Sequence, residues 1–179
     1  MILSRALLPT PIGDMLALDS DEGLCALEFV GPANRLTRLE TRLGRWFPPH
    51  DIADRETPTI AWTRAWLQAY FAGASADVSP LALDMRGTAF ERRVWAALLA
   101  IPPGETTSYG AIAKALGSVE ASRAVGAANG ANPIAIVVPC HRVIGSSGSL
   151  VGYGGGLDRK TWLLDHERRW RCEPQSSLF

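Results

Sequence analysis

The sequence predicts an α+β protein: a small N-terminal domain of sheet plus helices, residues 1–85, followed by a mainly helical C-terminal domain with a helix-turn-helix, residues 86–179. Three observations predict it. Short apolar runs separated by turn-forming residues open the chain, apolar residues at helical spacing follow, and a stretch rich in Ser, Asp and Pro at 74–84 separates the halves. With 179 residues, 47% of them hydrophobic, the chain can remove about 70% of its surface from solvent, which excludes wholesale disorder.

The N-terminal half is predicted to contain a hairpin and two helices. Residues 15–19 and 24–30 are apolar or alternating, and the residues between them favour a turn. Apolar residues then recur three and four positions apart before Pro48 and again before Gly73. These residues are Leu36, Leu39 and Leu43 in the first set, and Ile60, Leu67, Tyr70 and Phe71 in the second. We expect both helices to pack on the sheet that contains the hairpin.

The C-terminal half opens with a capped helix. Thr88 and Glu91 have the spacing of a capping box, in which each side chain bonds the backbone N–H of the other residue. An apolar stripe of Phe90, Val94, Leu98 and Ile101 follows, and it ends at two prolines. The pattern therefore predicts one helix that ends near residue 101.

Two further short helices, over residues 108–116 and 120–130, are separated by Gly117 and predict a helix-turn-helix. The second is almost free of bulky side chains, and Arg123 is the long side chain that projects from it. Such a helix can approach either a neighbouring helix or a nucleic-acid groove closely. The residues alone leave packing inside the domain and groove binding both open.

The end of the chain combines a buried segment, a loop and a helix. Residues 134–138 are apolar and β-branched, which predicts a buried strand or extended segment that ends at Pro139. Six glycines fall within 145–156 and predict a loop, and apolar residues at helical spacing predict a last helix over 158–169.

Composition restricts the classes of protein that this chain can belong to. Residues 1–85 carry 7 basic and 11 acidic side chains, and residues 86–179 carry 11 basic and 7 acidic ones. The net charge of the chain is therefore zero, but that of the C-terminal half is +4. That excess suits a polyanionic partner and a solvated surface about equally. No apolar run is long enough to span a bilayer and no secretory signal opens the chain, so we expect a cytoplasmic protein without membrane association.

The dipeptide of Cys140 and His141 is the candidate reactive centre. Thiols attack as thiolates, so a nucleophilic cysteine needs a base or a positive field beside it; His141 can supply the first and Arg142 the second. A buried, structural cysteine is the alternative interpretation. We expect Cys25 and Cys172 to be structural thiols, and no pair of Cys or His residues has metal-ligand spacing.

Several segments together resemble one family. The run from Pro139 to Val143 looks like the PCHRV signature of the O6-alkylguanine-DNA alkyltransferases, also called methylated-DNA-protein-cysteine methyltransferases, of bacterial type. The similarity extends over segments 86–99, 107–113, 122–126, 132–139 and 152–160, and over most of 162–167. Nearly all of residues 86–169 are therefore covered.

The resemblance implies a function and a set of site residues. Members of this family bind double-stranded DNA through the minor groove, flip out an alkylated guanine and transfer its alkyl group to a cysteine. The resemblance implies that Cys140 is the alkyl acceptor, held as a thiolate, that His141 is the base that activates it through a water, and that Glu167 orients the histidine. It further implies that Tyr109 donates a proton to the departing guanine, that Asn132 is the hinge between the recognition helix and the active site, and that Lys160 ties down the substrate loop. The implied DNA-binding residues are Arg123, which fills the gap left by the flipped base, with Ser122, Ala124, Ala127 and Tyr109, and the backbone of Tyr153, Gly154, Gly155 and Gly156 would hold the guanine.

The resemblance also implies how often the protein acts and what it needs. A thioether has no easy leaving route, so each molecule would act once, with no cofactor and no metal, on O6-alkylguanine and with O4-alkylthymine left open as a second substrate. We expect a monomer and leave cooperative assembly on DNA open. Two alternatives remain: a non-enzymatic lesion-binding protein, against which Cys140 argues, and a thiol hydrolase that uses Cys140 and His141 and turns over.

Overall fold

The structure, a computed structural model, describes residues 1–31, 34–74 and 77–172, without the side chains of residues 34–36, 171 and 172. Four strands form the N-terminal sheet in the order β3-β2-β1-β4. Their bounds are β1 Ile2–Leu8, β2 Met15–Ser20, β3 Gly23–Phe29 and β4 Asp51–Asp54. The predicted hairpin of β2 and β3 is confirmed, and the sheet gains β1, antiparallel to β2, and β4, which runs parallel to β1 at one edge.

The two helices predicted for this half are present and cover opposite faces of the sheet. Helix α1 spans Asn34–Trp46 and packs Leu39 and Leu43 against one face. Helix α2 spans Pro58–Phe71, starts at the N-cap Thr57 and packs against the other face. Because successive strand residues point to opposite faces, the β-strands supply apolar side chains to both layers. The expectation that both helices pack on the sheet is confirmed.

In the C-terminal half, helix α3 spans Ala89–Leu99 and has both hydrogen bonds of the predicted capping box. Helix α4 spans Tyr109–Ala115 and is capped by the Ser108 side chain. After Gly117, whose φ is +83°, a 3₁₀ turn over Val119–Ala121 leads into helix α5, Ser122–Gly130. The second helix of the predicted pair therefore begins two residues later than the sequence indicates, since its first turn is 3₁₀.

The segment predicted as a buried strand or extended run is buried but folds back on itself. Ile136 has a φ of +69°, and Val138 N donates to Ile134 O across the resulting turn. The segment is attached to strand β3 because Ala135 N donates to Leu27 O at 2.8 Å. A left-handed conformation is rare for a β-branched residue, so the surrounding contacts must hold it.

The chain then enters the segment that contains the candidate nucleophile. A 3₁₀ turn over Cys140–Arg142 is followed by the two-residue strand β6, Val143–Ile144, which pairs in parallel with β5, Thr107–Ser108. The predicted loop over residues 145–156 contains no helix or strand. The last helix, α6, spans Leu157–Cys172 and is longer at its C-terminal end than predicted.

One apolar cluster contains side chains from both halves of the chain. Met15 and Leu67 from the N-terminal half belong to the same buried cluster as Trp95 and Leu163 from the C-terminal half. Backbone hydrogen bonds also join the halves directly, since Leu27 N in β3 donates to Pro133 O at 2.9 Å. The predicted boundary at residue 85 stays a prediction. Over the described ranges, no helix is long and apolar enough to cross a membrane.

Candidate active site

Cys140 lies at the start of its 3₁₀ turn with 6% of its surface exposed. Burial raises the pKa of the thiol to about 11, although a hydrogen bond with Asn132 and the charge of Lys160 act in the opposite direction. The resting sulfur is therefore a thiol, and the expectation of a thiolate held in place is wrong. The cause is desolvation, which penalises the charged form more than the neighbouring groups stabilise it.

His141 follows in the same turn and is fully buried. Its Nε2 lies 2.8 Å from Oε1 of Glu167 on helix α6, and a carboxylate at that distance fixes the proton on Nε2. The other ring nitrogen, Nδ1, then carries a lone pair. Nδ1 is buried and has no hydrogen-bond partner among the residues that the structure describes. Burial lowers the pKa of His141, against the effect of Glu167, so the ring is neutral and able to accept a proton.

Glu167 is buried and remains ionised. Burial alone would raise the pKa of its carboxyl, but the hydrogen bonds and charges of His141 and Arg142 outweigh it and hold the pKa well below the usual range. Arg142 binds both carboxylate oxygens, with Nε 2.9 Å from Oε2 and Nη2 2.9 Å from Oε1. Arg142 was expected to provide a positive field for the thiol. It neutralises Glu167 instead, because its guanidinium donates to the Glu167 carboxylate and to the Ile101 carbonyl.

Asn132 stands where the end of helix α5 meets the segment that leads to the nucleophile. Its Nδ2 donates to Val138 O at 2.8 Å and its Oδ1 accepts from Ile134 N at 3.0 Å. The same amide forms a hydrogen bond with the Cys140 thiol. One buried side chain therefore fixes the folded-back segment that leads to Cys140, and its role as a hinge stays a prediction.

Lys160, on helix α6, is fully buried beneath the glycine-rich loop. Its Nζ donates to the carbonyls of Val143, Val151 and Gly152 at 2.6, 2.9 and 3.3 Å. Burial lowers the pKa of Lys160, and the nearby Cys140 acts against that shift. The side chain thus ties strand β6 and the middle of the loop to helix α6.

The predicted substrate loop is densely packed at one position. A Cβ on Gly155 would lie 2.4 Å from a ring carbon of Tyr153, so a side chain is excluded there. Gly156 has a φ of +92°, a conformation that glycine adopts without strain, and Gly154 is exposed. Tyr109 contacts the loop through its hydroxyl, which donates to Val151 O at 3.2 Å. Burial and the proximity of Cys140 raise the pKa of Tyr109, so its hydroxyl keeps its proton.

Helix α5 exposes a face of small side chains. Arg123, Ala124 and Ala127 are exposed and Ser122 is partly buried, whereas the opposite face packs into the core. A groove of about 450 Å³ runs between the end of this helix and helix α1, and its wall includes Asn132 and Gly154. Four of the predicted DNA-binding residues therefore lie on helix α5, where Ala127 also lines the groove, whereas Tyr109 lies on helix α4.

The sequence did not indicate two groups that bind Glu167. Tyr70 OH, from helix α2, donates to Oε1 at 2.7 Å, and Gly104 N donates to Oε2 at 3.1 Å. Tyr70 was interpreted as one of the apolar residues of its helix. No local pattern could have revealed a contact between residues 97 positions apart, although a tyrosine on an apolar stripe indicates a hydroxyl that needs a partner.

The fold and the site together define a protein in which a helix-turn-helix lies in the same domain as a buried Cys–His dipeptide whose histidine is bound to a glutamate. Two family models match the chain: the ribonuclease-like domain of 6-O-methylguanine DNA methyltransferase over residues 3–85, and the DNA binding domain of 6-O-methylguanine DNA methyltransferase over residues 89–169. The chain belongs to the 6-O-methylguanine DNA methyltransferase family. The resemblance inferred from the sequence is confirmed.

Named relatives agree with that membership. The methylated-DNA–protein-cysteine methyltransferase of Mycolicibacterium paratuberculosis is 52% identical over 153 residues, which are 85% of this chain and 90% of that protein. The crystal structure of Mycobacterium tuberculosis O6-methylguanine methyltransferase has a TM-score of 0.79 at 40% identity and covers 97% of this chain and 96% of its own. A crystal structure of Mycobacterium tuberculosis OGT in complex with DNA has a TM-score of 0.75 at 41% identity, with 95% and 94% covered.

Proposed function

We propose that this chain repairs DNA directly by moving the alkyl group from O6 of guanine to Sγ of Cys140, once per molecule. The observation that carries the proposal is the state of His141: Nε2 is bound to Glu167 at 2.8 Å, and Nδ1 is a buried acceptor in the residue next to the thiol. The names of the relatives and the matching family models support the same reaction.

The proton of the thiol leaves as the alkyl group arrives. With a pKa of about 11, about one Cys140 in ten thousand is ionised at pH 7, so free thiolate contributes little. We propose that a water relays the thiol proton to Nδ1 of His141, and that Glu167 stabilises the imidazolium that forms. The Sγ–C bond forms, the C–O6 bond breaks, and the electron pair of that bond stays with guanine.

The departing guanine is an anion that needs a proton. Tyr109 supports the role of donor because its hydroxyl is protonated, contacts the substrate loop and lies near enough to Cys140 for their charges to interact. General acid catalysis of this kind contributes a factor on the order of 10² to 10⁴. The loop of Tyr153 to Gly156, tied down by Lys160, would hold the base with its backbone groups.

We further propose that helix α5 enters the minor groove of double-stranded DNA. That groove is only about 6 Å wide, and the exposed Ala124 and Ala127 leave room for close approach. A base inside a duplex is out of reach of Cys140, so it must be flipped out at a cost of a few kcal/mol. Insertion of Arg123 into the vacated stack would offset part of that cost.

Intact mass separates the proposed repair from its two alternatives. After incubation with a duplex that contains O6-methylguanine, we expect the mass of one methyl group on Cys140, located by peptide mapping, and none on the Cys140→Ser variant. A protein that binds the lesion without gaining mass would be a lesion-binding protein. Release of product at more than one equivalent without gain of mass would identify a hydrolase.

Transfer from free O6-benzylguanine isolates DNA binding from chemistry. Arg123→Ala should slow transfer from the methylated duplex but leave transfer from the free base at the wild-type rate, because Arg123 lies on the exposed face of α5 and outside the relay. Lys114→Ala, an exposed cation on the neighbouring helix, is the matched control. Equal duplex rates for Arg123→Ala and wild type would overturn the assignment of Arg123.

The remaining expectations belong to the same proposal. We propose a cytoplasmic protein that acts as a monomer, with two domains divided near residue 85 and with cooperative assembly on DNA as an open question. A reducing compartment keeps the Cys140 thiol available for transfer. Sedimentation of the free protein and of its duplex complex tests the oligomeric state in both conditions.

A further inference from the structure

The carboxylate of Glu167 receives hydrogen bonds from both halves of the chain. In the part of the chain that the structure describes, five donors reach it: Nε2 of His141, Nε and Nη2 of Arg142, the backbone N–H of Gly104 and the hydroxyl of Tyr70. The first four come from residues of the C-terminal half. Tyr70 comes from helix α2 of the N-terminal half, and its distance of 2.7 Å to Oε1 is the shortest of the five.

Tyr70 has little freedom to move away from the carboxylate. Its ring stacks on Trp66 with centroids 5.3 Å apart and meets the edge of Trp170 at 5.0 Å, and 1% of the residue is exposed. Its own carbonyl bonds Nε2 of His166 on helix α6 at 2.8 Å. Burial and then the charge of Glu167 raise the pKa of the phenol, so the hydroxyl keeps its proton at neutral pH and can donate it to the carboxylate.

The hydroxyl shares one acceptor atom with the candidate base. Tyr70 OH and His141 Nε2 both donate to Oε1 of Glu167, so the phenol both fixes where that oxygen lies and takes part of its charge. A carboxylate that is held and partly neutralised in this way orients the imidazole without taking its proton. Neighbouring partners of this type tune the basicity of a histidine.

We propose that Tyr70 is a positioning residue of the transfer reaction, through which the N-terminal half sets the orientation and basicity of His141. The expected effect of Tyr70 on the transfer rate rests on the proposed function. Its expected effect on the orientation and basicity of the imidazole does not. Without the hydroxyl, Glu167 keeps four donors, so no buried polar atom is left unsatisfied. Its charge is then less dispersed, the proton of the imidazolium is held more tightly, and the pKa of His141 rises.

The test compares Tyr70→Phe with Thr63→Val. Thr63 lies on the same helix and is fully buried, and its hydroxyl bonds the Thr59 carbonyl within that helix, so Thr63→Val also removes one buried hydroxyl. We expect Tyr70→Phe to slow single-turnover transfer at pH 7 by roughly tenfold or more. Because transfer needs neutral His141, the acid limb of its pH–rate profile should move to higher pH. Thr63→Val should leave both the rate and the profile unchanged.

A second measurement does not require transfer. In protein labelled with ¹⁵N-histidine, the titration midpoint of the His141 ring should be higher in Tyr70→Phe than in wild type and in Thr63→Val. Wild type that gains no alkyl group would refute the proposed function, yet the titration would still test the role of Tyr70. An unchanged midpoint in a folded Tyr70→Phe, or a shift of equal size in Thr63→Val, would overturn the inference.

The wild-type protein provides a check if Tyr70→Phe fails to fold. A phenol hydroxyl bonded to a carboxylate at 2.7 Å should give a slowly exchanging, downfield proton resonance with a cross-peak to the Nε2 proton of His141. Absence of that cross-peak in a protein whose His141 Nε2 proton is observed would also overturn the inference.

Discussion

The regions around Cys25 and Cys140 place the same functional group in two different settings. Both thiols are buried, and burial raises the pKa of Cys25 to about 12 and that of Cys140 to about 11. Cys25 lies in regular strand β3 and its Sγ donates to the Leu18 carbonyl of the adjacent strand at 3.4 Å. Cys140 lies in a 3₁₀ turn next to His141, whose Nδ1 has no hydrogen-bond partner within residues 1–31, 34–74 and 77–172.

The difference shows that neither burial nor the resting pKa identifies the nucleophile. A strand gives its thiol an existing acceptor and apolar neighbours, whereas the turn brings Cys140 close to groups that can move its proton. Two groups of helix α6, Glu167 and Lys160, and Asn132 just beyond the end of helix α5 hold that turn through hydrogen bonds to its side chains and to nearby backbone. Reactivity therefore depends on the partners that the irregular segment collects.

The largest expected effect separates the two thiols completely. Cys140→Ser should abolish alkyl transfer, because a hydroxyl is a far weaker nucleophile than a thiol at neutral pH, while its affinity for alkylated duplex should stay within a factor of about two. Cys25→Ser should transfer at the wild-type rate, since Ser can keep the hydrogen bond to the Leu18 carbonyl. Intact mass measures transfer and fluorescence anisotropy measures binding. Alkylation of a second cysteine in Cys140→Ser would contradict the comparison.

A second prediction concerns the carboxylate of Glu167, which binds the histidine next to Cys140. Glu167→Gln should slow transfer by a factor on the order of 10² to 10⁴, because an amide can bind the imidazole in the wrong tautomer. It should also lower the free energy of unfolding by about 3–5 kcal/mol, since the buried Arg142 loses its counter-ion.

The matched control for that variant is Asp165→Asn on the same helix. Asp165 forms an ion pair with Arg168 in which both side chains are well exposed, so its loss should change neither transfer nor stability measurably. Urea unfolding and single-turnover rates check both variants. A Glu167→Gln protein as active and stable as Asp165→Asn would show that the relay is not needed.

The sequence predicted the regular elements better than the irregular ones. Helix α2 follows from apolar periodicity, and helix α3 from apolar periodicity and a capping box, which are local signals. Strand β4 was missed because it has only four residues and begins and ends with an aspartate. Its parallel pairing with β1 joins residues about 50 positions apart, so no local pattern indicates it. The left-handed Ile136 was also beyond local reasoning, since tertiary contacts rather than propensity impose it.

The site shows the same division. The sequence itself shows that Cys140 and His141 are adjacent, whereas Glu167 was predicted only from the resemblance to a family. Neither source predicted Tyr70, because its contact with Glu167 joins helices α2 and α6, which are distant in the sequence. The direction of Arg142, toward Glu167 rather than the thiol, likewise depends on partners that are 25 and 41 positions away in the chain.

A third prediction uses the pH dependence of stability to compare the two thiols. Each folded-state pKa lies above the ordinary value of 9.0, so each thiol contributes stability that is complete below pH 9 and lost as pH rises through about 11 for Cys140 and about 12 for Cys25. Between pH 9.5 and 10.5, each should lower the free energy of unfolding by about 1 kcal/mol per pH unit. Cys25→Ser and Cys140→Ser should each remove one such contribution, as urea unfolding at several pH values would show. An unchanged slope in both variants would contradict the raised pKa values.

The smallest effect is a difference in reaction rate with a simple reagent. Iodoacetamide reacts with thiolates, and the difference between pKa values of about 11 and 12 predicts about tenfold faster alkylation of Cys140 than of Cys25 in the folded protein. Both should react far more slowly at pH 7 than an exposed thiol, and both rates should rise about tenfold per pH unit up to pH 9. Peptide mass mapping over time resolves the two sites. Rapid labelling of Cys140 at pH 7 would mean that the sulfur is ionised before any substrate arrives, and the proton relay through His141 would then have no step to perform.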